Sequence, residues 1–205
     1  MPVRVKICGV TTVEDALLCA DAGADYVGLN FWSGSRRCVD LGRAVRIVQA
    51  LPPSVQKVGV FVDAERAEIE RTVAAAELDA IQLHGDEAPQ DCRGFSVPVI
   101  KAIRVRAGGE PLAAAAERFP VDYVLFDADA GVEHGGSGRS FDWRLAVGIP
   151  PGRLFLAGGL RPDNVAAAIR IARPFAVDVA SGVEGSPGRK EAARVREFID
   201  NAKHA

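Results

Sequence analysis

Short apolar runs rich in valine and isoleucine alternate along this chain with longer segments of helical period. The runs are VRVKIC from Val3, DYVGLNF from Asp25, VQKVGVFV from Val55, DAIQLH from Asp79, VPVIKAI from Val97, DYVLFDA from Asp122, RLFLAGG from Arg153 and FAVDVAS from Phe175, eight in all. Helical patterns fall between or after them at Val13 to Ala22, Leu41 to Leu51, Ala64 to Glu77, Glu87 to Arg93, Pro111 to Arg118, Phe141 to Val147, Pro162 to Ala172 and Gly188 to Ala202. Runs that are apolar on both faces and separated by helices predict parallel strands covered by helices. Eight such units favour a closed (β/α)8 barrel, the TIM barrel, over an open doubly wound sheet, and no GxGxxG follows the first strand as a dinucleotide fold usually requires. A weak echo supports regular repetition: Asp25, Asp79 and Asp122 each open a strand run that then alternates.

Length leaves this architecture room for one domain over residues 1–205, and no linker or low-complexity stretch divides the chain. With 25 basic against 27 acidic residues, the basic surface that nucleic acid needs is not expected. The segment MPVRVKICG has no apolar signal region and no run approaches eighteen apolar residues, so a cytoplasmic protein without membrane contact is the expectation. Cys8, Cys19, Cys38 and Cys92 show neither CxxC nor histidine-pair spacing, which argues against a metal site and against disulfides.

In a barrel, chemistry belongs at the C-terminal ends of the strands. Those ends read Cys8, Asn30, Asp63, His84, Arg104, Asp127, Gly158-Gly159 and Ser181-Gly182. Cys8 is either a free thiol at the mouth or a small buried hydrophobe. The last two ends are glycine-rich, and glycines let backbone N–H groups approach an anion closely. Barrels frequently hold a phosphate between the loops after strands seven and eight. Gly158, Gly159, Ser181 and Gly182 are therefore the candidate phosphate-binding residues, with simple tight turns as the competing explanation.

The motifs Lys6-Ile-Cys-Gly-Val-Thr11, Val58-Gly-Val-Phe-Val62, Gln82-Leu-His-Gly-Asp-Glu87, Lys101-Ala-Ile103, Gly135-Gly-Ser-Gly138 with Phe141-Asp-Trp143, Leu156-Ala-Gly-Gly-Leu160 with Pro162-Asp-Asn-Val165, and Asp178-Val-Ala-Ser-Gly-Val-Glu184 with Pro187-Gly188 occur in one order. Together they resemble the phosphoribosylanthranilate isomerases of tryptophan biosynthesis. The resemblance implies an Amadori rearrangement of the aminoaldose N-(5-phosphoribosyl)anthranilate to the aminoketose 1-(2-carboxyphenylamino)-1-deoxyribulose 5-phosphate, with no metal or organic cofactor. It implies Cys8 as general base and Asp127 as general acid. Lys6, two residues before Cys8 and on the same side of the strand, is a candidate for helping the thiol ionise, with a buried structural lysine as the alternative. Asp129, two residues beyond Asp127, is a rival carboxylate. Asp63 and Asp178 read as scaffold, and His84 as a structural group without a part in proton transfer.

One departure from the family is visible. After the second strand the family reads Ser-Pro-Arg-aromatic, whereas this chain has Ser35-Arg-Arg-Cys38. Arg37 matches the arginine that holds the anthranilate carboxylate, and Arg36 competes with it. The alternatives are a phosphate-binding barrel using Lys6 or Lys101 for a Schiff base, a related indole-glycerol-phosphate synthase, a noncatalytic phosphate-ligand module, and a dual-specificity isomerase that also accepts the histidine-pathway aminoaldose. The partner implied is the small-molecule substrate, with the chain a monomer or, as the alternative, a dimer.

Overall fold

A computed structural model describes residues 2–105, 109, 111–128, 141–150 and 152–205. Eight parallel strands close in chain order into a barrel: β1 (Arg4–Cys8), β2 (Tyr26–Asn30), β3 (Gln56–Phe61), β4 (Ala80–Leu83), β5 (Val99–Val105), β6 (Tyr123–Ala128), β7 (Leu154–Leu156) and β8 (Ala176–Val179). The ring closes where β1 pairs with β8, Lys6 opposite Asp178 and Ile7 opposite Val179. Outside lie α1 (Val13–Asp21), α2 (Leu41–Ala50), α3 (Arg66–Ala76), α4 (Leu112–Glu117), α5 (Val165–Ala172) and α6 (Ala192–Lys203). Thr12 caps α1 by accepting from the Asp15 N–H, and Asp40 caps α2 by accepting from the Arg43 N–H.

The aspartate echo has a structural cause at the end of the barrel opposite the strand C-termini. Asp25 accepts the Val5 N–H at 2.7 Å, Asp79 the Lys57 N–H at 2.8 Å and Asp122 the Val99 N–H at 2.9 Å. Each carboxylate before an even strand thus satisfies the start of the odd strand beside it, which would otherwise present an unpaired donor. Above this ring the barrel interior is filled by Tyr26, Val58, Ile100, Leu125 and Phe155. Phe155 meets Tyr26 and Tyr123 edge-on, with centroids 5.4 and 5.3 Å apart. This packed floor leaves chemistry to the opposite end.

Three predicted helices differ from the structure. Glu87 to Arg93 forms turns, because the Glu87 carboxylate is held by the N–H groups of Asp63 and Gly85 and by Lys101. So short a run cannot sustain a helix against those ties. The Phe141 to Val147 pattern contracts to a 3-10 turn, Trp143–Ala146, whose first N–H groups include one capped by Asp142. The last helix starts at Ala192, not near Gly188, because Glu184–Ser186 (β9) and Arg189–Lys190 (β10) pair as an antiparallel ribbon. Gly188, at φ 79°, makes its turn.

Candidate active site

The C-terminal strand ends bring together most of the residues singled out from sequence. Lys6 and Cys8 are two apart on β1, so their side chains leave the same face of the strand. Lys6 is fully buried, and its Nζ donates to Asp178 Oδ1 at 2.8 Å across the seam that closes the barrel. The Lys6 ammonium also favours the charged form of the neighbouring Cys8 thiol. Gly28 on β2 makes the room: a Cβ there would lie 2.9 Å from Cys8 Sγ and 3.1 Å from Lys6 Nζ. Burial pushes the Cys8 thiol up, and the Lys6 ammonium pulls it back without overcoming that effect. Lys6 thus acts in the expected direction, favouring the thiolate, but desolvation at the barrel mouth is the larger influence and the nearby Asp178 carboxylate works against ionisation as well.

Gly9 follows Cys8 at φ 70°, and a side chain there would collide with Arg37. The glycine of the KICG motif therefore lets Arg37 cross the end of β1. The Arg37 guanidinium meets Glu184 in a fork, Nε to Oε1 and Nη2 to Oε2, both 2.8 Å. Glu184 is shared with Lys190, whose Nζ lies 3.0 Å from Oε1 and also donates to the carbonyls of Cys8 at 2.7 Å and Ala180 at 3.2 Å. Burial would raise the Glu184 carboxyl, but the Arg37 hydrogen bonds and the Lys190 charge hold it below its ordinary value. Arg36 is exposed.

Across the mouth, Asp127 near the end of β6 is 8% exposed. Its Oδ2 lies 3.5 Å from His84 Nε2, and its Oδ1 lies 3.3 Å from where a Gly158 Cβ would stand. Asp127 and Asp178 line one small cleft with Gly158, Gly159, Ser181 and Gly182. Gly158 and Gly159 have φ of 82° and 65°. A Gly158 Cβ would stand 2.7 Å from the Ala128 nitrogen, and one on Gly182 would collide with the Leu160 carbonyl oxygen. The four predicted phosphate residues thus share one cleft wall, and at Gly158 and Gly182 there is no room for a side chain. Asp129 and the Gly135-Gly-Ser-Gly138 motif lie outside the described residues.

Lys101 answers differently from a Schiff-base lysine. It is 2% exposed, and its Nζ donates to Glu87 Oε2 at 2.6 Å and the Gly85 carbonyl at 2.8 Å. An amine so enclosed is a scaffold cation, as is Lys6 in its pair with Asp178. Sequence reasoning missed Gln82 and Lys190. Lys190 carried no signal, since Gly-Arg-Lys-Glu reads as the exposed start of a helix. Gln82 stands two residues before His84 on a buried strand, a polar residue where the pattern asks for an apolar one, and that was a legible signal.

Comparison with known proteins decides the family. Residues 5–201 match the family model of N-(5'phosphoribosyl)anthranilate (PRA) isomerase. The chain belongs to that family. A phosphoribosylanthranilate isomerase from Pelobacter propionicus is 48% identical over 204 residues, 98% of this chain and 96% of the relative. The crystal structure of the Thermotoga maritima phosphoribosylanthranilate isomerase is similar with a TM-score of 0.89 at 41% identity, over 99% of this chain and 100% of that one. A structure of a phosphoribosylanthranilate isomerase in complex with reduced 1-(o-carboxyphenylamino)-1-deoxyribulose 5-phosphate has a TM-score of 0.86 at 41% identity, with the same coverage. Among the described residues of this isomerase no helix is long and apolar enough to cross a membrane.

Proposed function

We propose that Cys8 is the general base and Asp127 the general acid of this isomerase. The reaction converts N-(5'-phosphoribosyl)anthranilate to 1-(2-carboxyphenylamino)-1-deoxyribulose 5-phosphate in tryptophan synthesis. It begins when Asp127 gives a proton to the ribose ring oxygen. The C1–O bond breaks with its electron pair on oxygen, while the anilino nitrogen lone pair forms a C=N iminium. The iminium acidifies the hydrogen on C2, which Cys8 takes as a thiolate, and the electrons of that C–H bond neutralise the nitrogen in an enolamine. Transfer of a proton from the C2 hydroxyl to C1 gives the ketone, so the product is an isomer and no electrons enter or leave.

The observation that carries this reading is the cleft in which Asp127 meets the Gly158 and Ser181 loops, next to the Cys8–Lys6–Asp178 chain. A phosphate held by backbone N–H groups there orients the ribose between acid and base, so binding energy from a group that never reacts lowers the entropic part of the barrier. The raised thiol is less of an obstacle once the iminium forms, because a cation beside C2 favours thiolate over thiol. Arg37 holds the anthranilate carboxylate, with Glu184 orienting the guanidinium. These groups all come from one chain, so a monomer suffices, and a cytoplasmic location suits a pathway enzyme of this kind. The purified chain is expected to consume phosphoribosylanthranilate in a fluorescence assay. Arg37→Ala is expected to raise KM far more than it lowers kcat, because the carboxylate keeps its charge throughout. A binding defect in Arg36→Ala instead would move the contact to its neighbour.

A further inference from the structure

Gln82 on β4 and His84, the first residue beyond it, are 1% and 8% exposed. Gln82 Nε2 lies 2.7 Å from His84 Nδ1, and His84 Nε2 lies 3.5 Å from Asp127 Oδ2. Gln82 Oε1 is buried and has no hydrogen-bond partner among the described residues. An amide nitrogen carries only donors, so the ring nitrogen it faces must present a lone pair. The hydrogen of the neutral imidazole then sits on Nε2, aimed at Asp127. The reversed amide would put Oε1 against the ring and bury the NH2 group where the carbonyl now has no partner, and orphaned N–H groups are rarer in proteins than orphaned carbonyls.

The two oxygens of Asp127 therefore face different neighbours: Oδ2 meets a ring N–H, and Oδ1 faces the glycine-lined cleft beside Gly158. We propose that Gln82 is a positioning residue that locks His84 as the neutral Nε2–H tautomer, so that His84 engages Oδ2 and the transferable proton of Asp127 is carried on Oδ1, toward the substrate. The inference rests on Asp127 being the acid. As the O–H bond on Oδ1 breaks, its electron pair stays on the carboxylate, Oδ2 gains charge, and the contact from His84 shortens from 3.5 Å into a charge-assisted hydrogen bond. The interaction is stronger after proton loss than before it, which is the requirement for accelerating the step.

Nitrogen NMR of histidine-labelled protein tests this on the wild type, with the His84 signals assigned by their absence in His84→Gln. The expected pattern at neutral pH is an unprotonated Nδ1 and a protonated Nε2. A protonated Nδ1 in the neutral ring, or an imidazolium at neutral pH, overturns the proposal. In turnover, His84→Leu is expected to lower kcat by about 100-fold, the cost of removing one donor aimed at developing charge. His84→Gln, which keeps an N–H near the Nε2 position, is expected to recover part of that loss. Gln82→Met is expected to lower kcat less, with little change in KM, and to let the ring adopt the other tautomer. Wild-type kcat in both Gln82→Met and His84→Leu, alongside an inactive Asp127→Asn, overturns this inference alone, whereas an active Asp127→Asn overturns the assignment of the acid.

Discussion

At the scale of single residues, Cys8 shows how environment and role pull apart. The thiol is placed where it can act as a base, yet burial raises its pKa and Lys6 offsets only part of the effect. Burial penalises the thiolate, so ionisation in the free protein should require a pH above the ordinary thiol value of about 8.5. Thiolate absorbance titrated in wild type and in Cys8→Ser should differ by a component with its midpoint above that value, and a midpoint below it would contradict the burial argument. Cys19 is buried and pushed up to about 12, so subtraction is needed to isolate Cys8. Cys8 and Asp127 were singled out in the sequence because Cys8 ends the first apolar run inside a motif the family shares and Asp127 stands near the end of the sixth, at the position of the family's acid. The network behind them was less so. Nothing in Ser-Gly-Val-Glu reveals that Glu184 is gripped by Arg37 and Lys190, since those contacts join residues 147 and 6 positions away across a closed ring.

At the scale of elements, strands were read well because their runs are apolar on both faces, and helices were read less well wherever side chains claimed the backbone. The β9–β10 ribbon was invisible, since Gly185-Ser-Pro-Gly188 looks like a loop and Arg189-Lys190 like a solvated helix start. The glycine-rich turns after β7 and β8, read from sequence as the candidate phosphate site, leave no room for a side chain at Gly158 and Gly182, and they support a direct prediction. An anion at about 100 times its Kd adds roughly 2.7 kcal/mol to stability. Sugar phosphates resembling the substrate should therefore raise the melting temperature of wild type. Gly159→Val should abolish most of the rise, because it puts a β-branched side chain at φ 65° in the turn proposed to bind the anion. A folded Gly159→Val protein that responds like wild type would place the phosphate elsewhere.

At the scale of the whole molecule, the ring is held shut at its mouth by buried charge. Lys190 ties β10 to the ends of β1 and β8 through the Cys8 and Ala180 carbonyls, and Glu184 adds the β2 loop through Arg37. Glu184→Gln leaves two cations against a neutral amide and should cost about 3–5 kcal/mol in denaturant unfolding. The double variant with Lys190→Met should cost less than the sum of the two single changes. Because the Glu184 carboxyl is held below its ordinary value, its contribution is present above the usual carboxylate range and is lost as pH falls through the depressed value. A single unfolding transition, coincident by circular dichroism and tryptophan fluorescence, is expected if the chain is one cooperative domain. The most direct test of the account as a whole is phosphoribosylanthranilate turnover by purified Cys8→Ala and Asp127→Asn. Each should lose about 100- to 10,000-fold in kcat while still binding substrate, as removal of a general base or acid requires. Wild-type-like kcat in either variant would remove that residue from the mechanism.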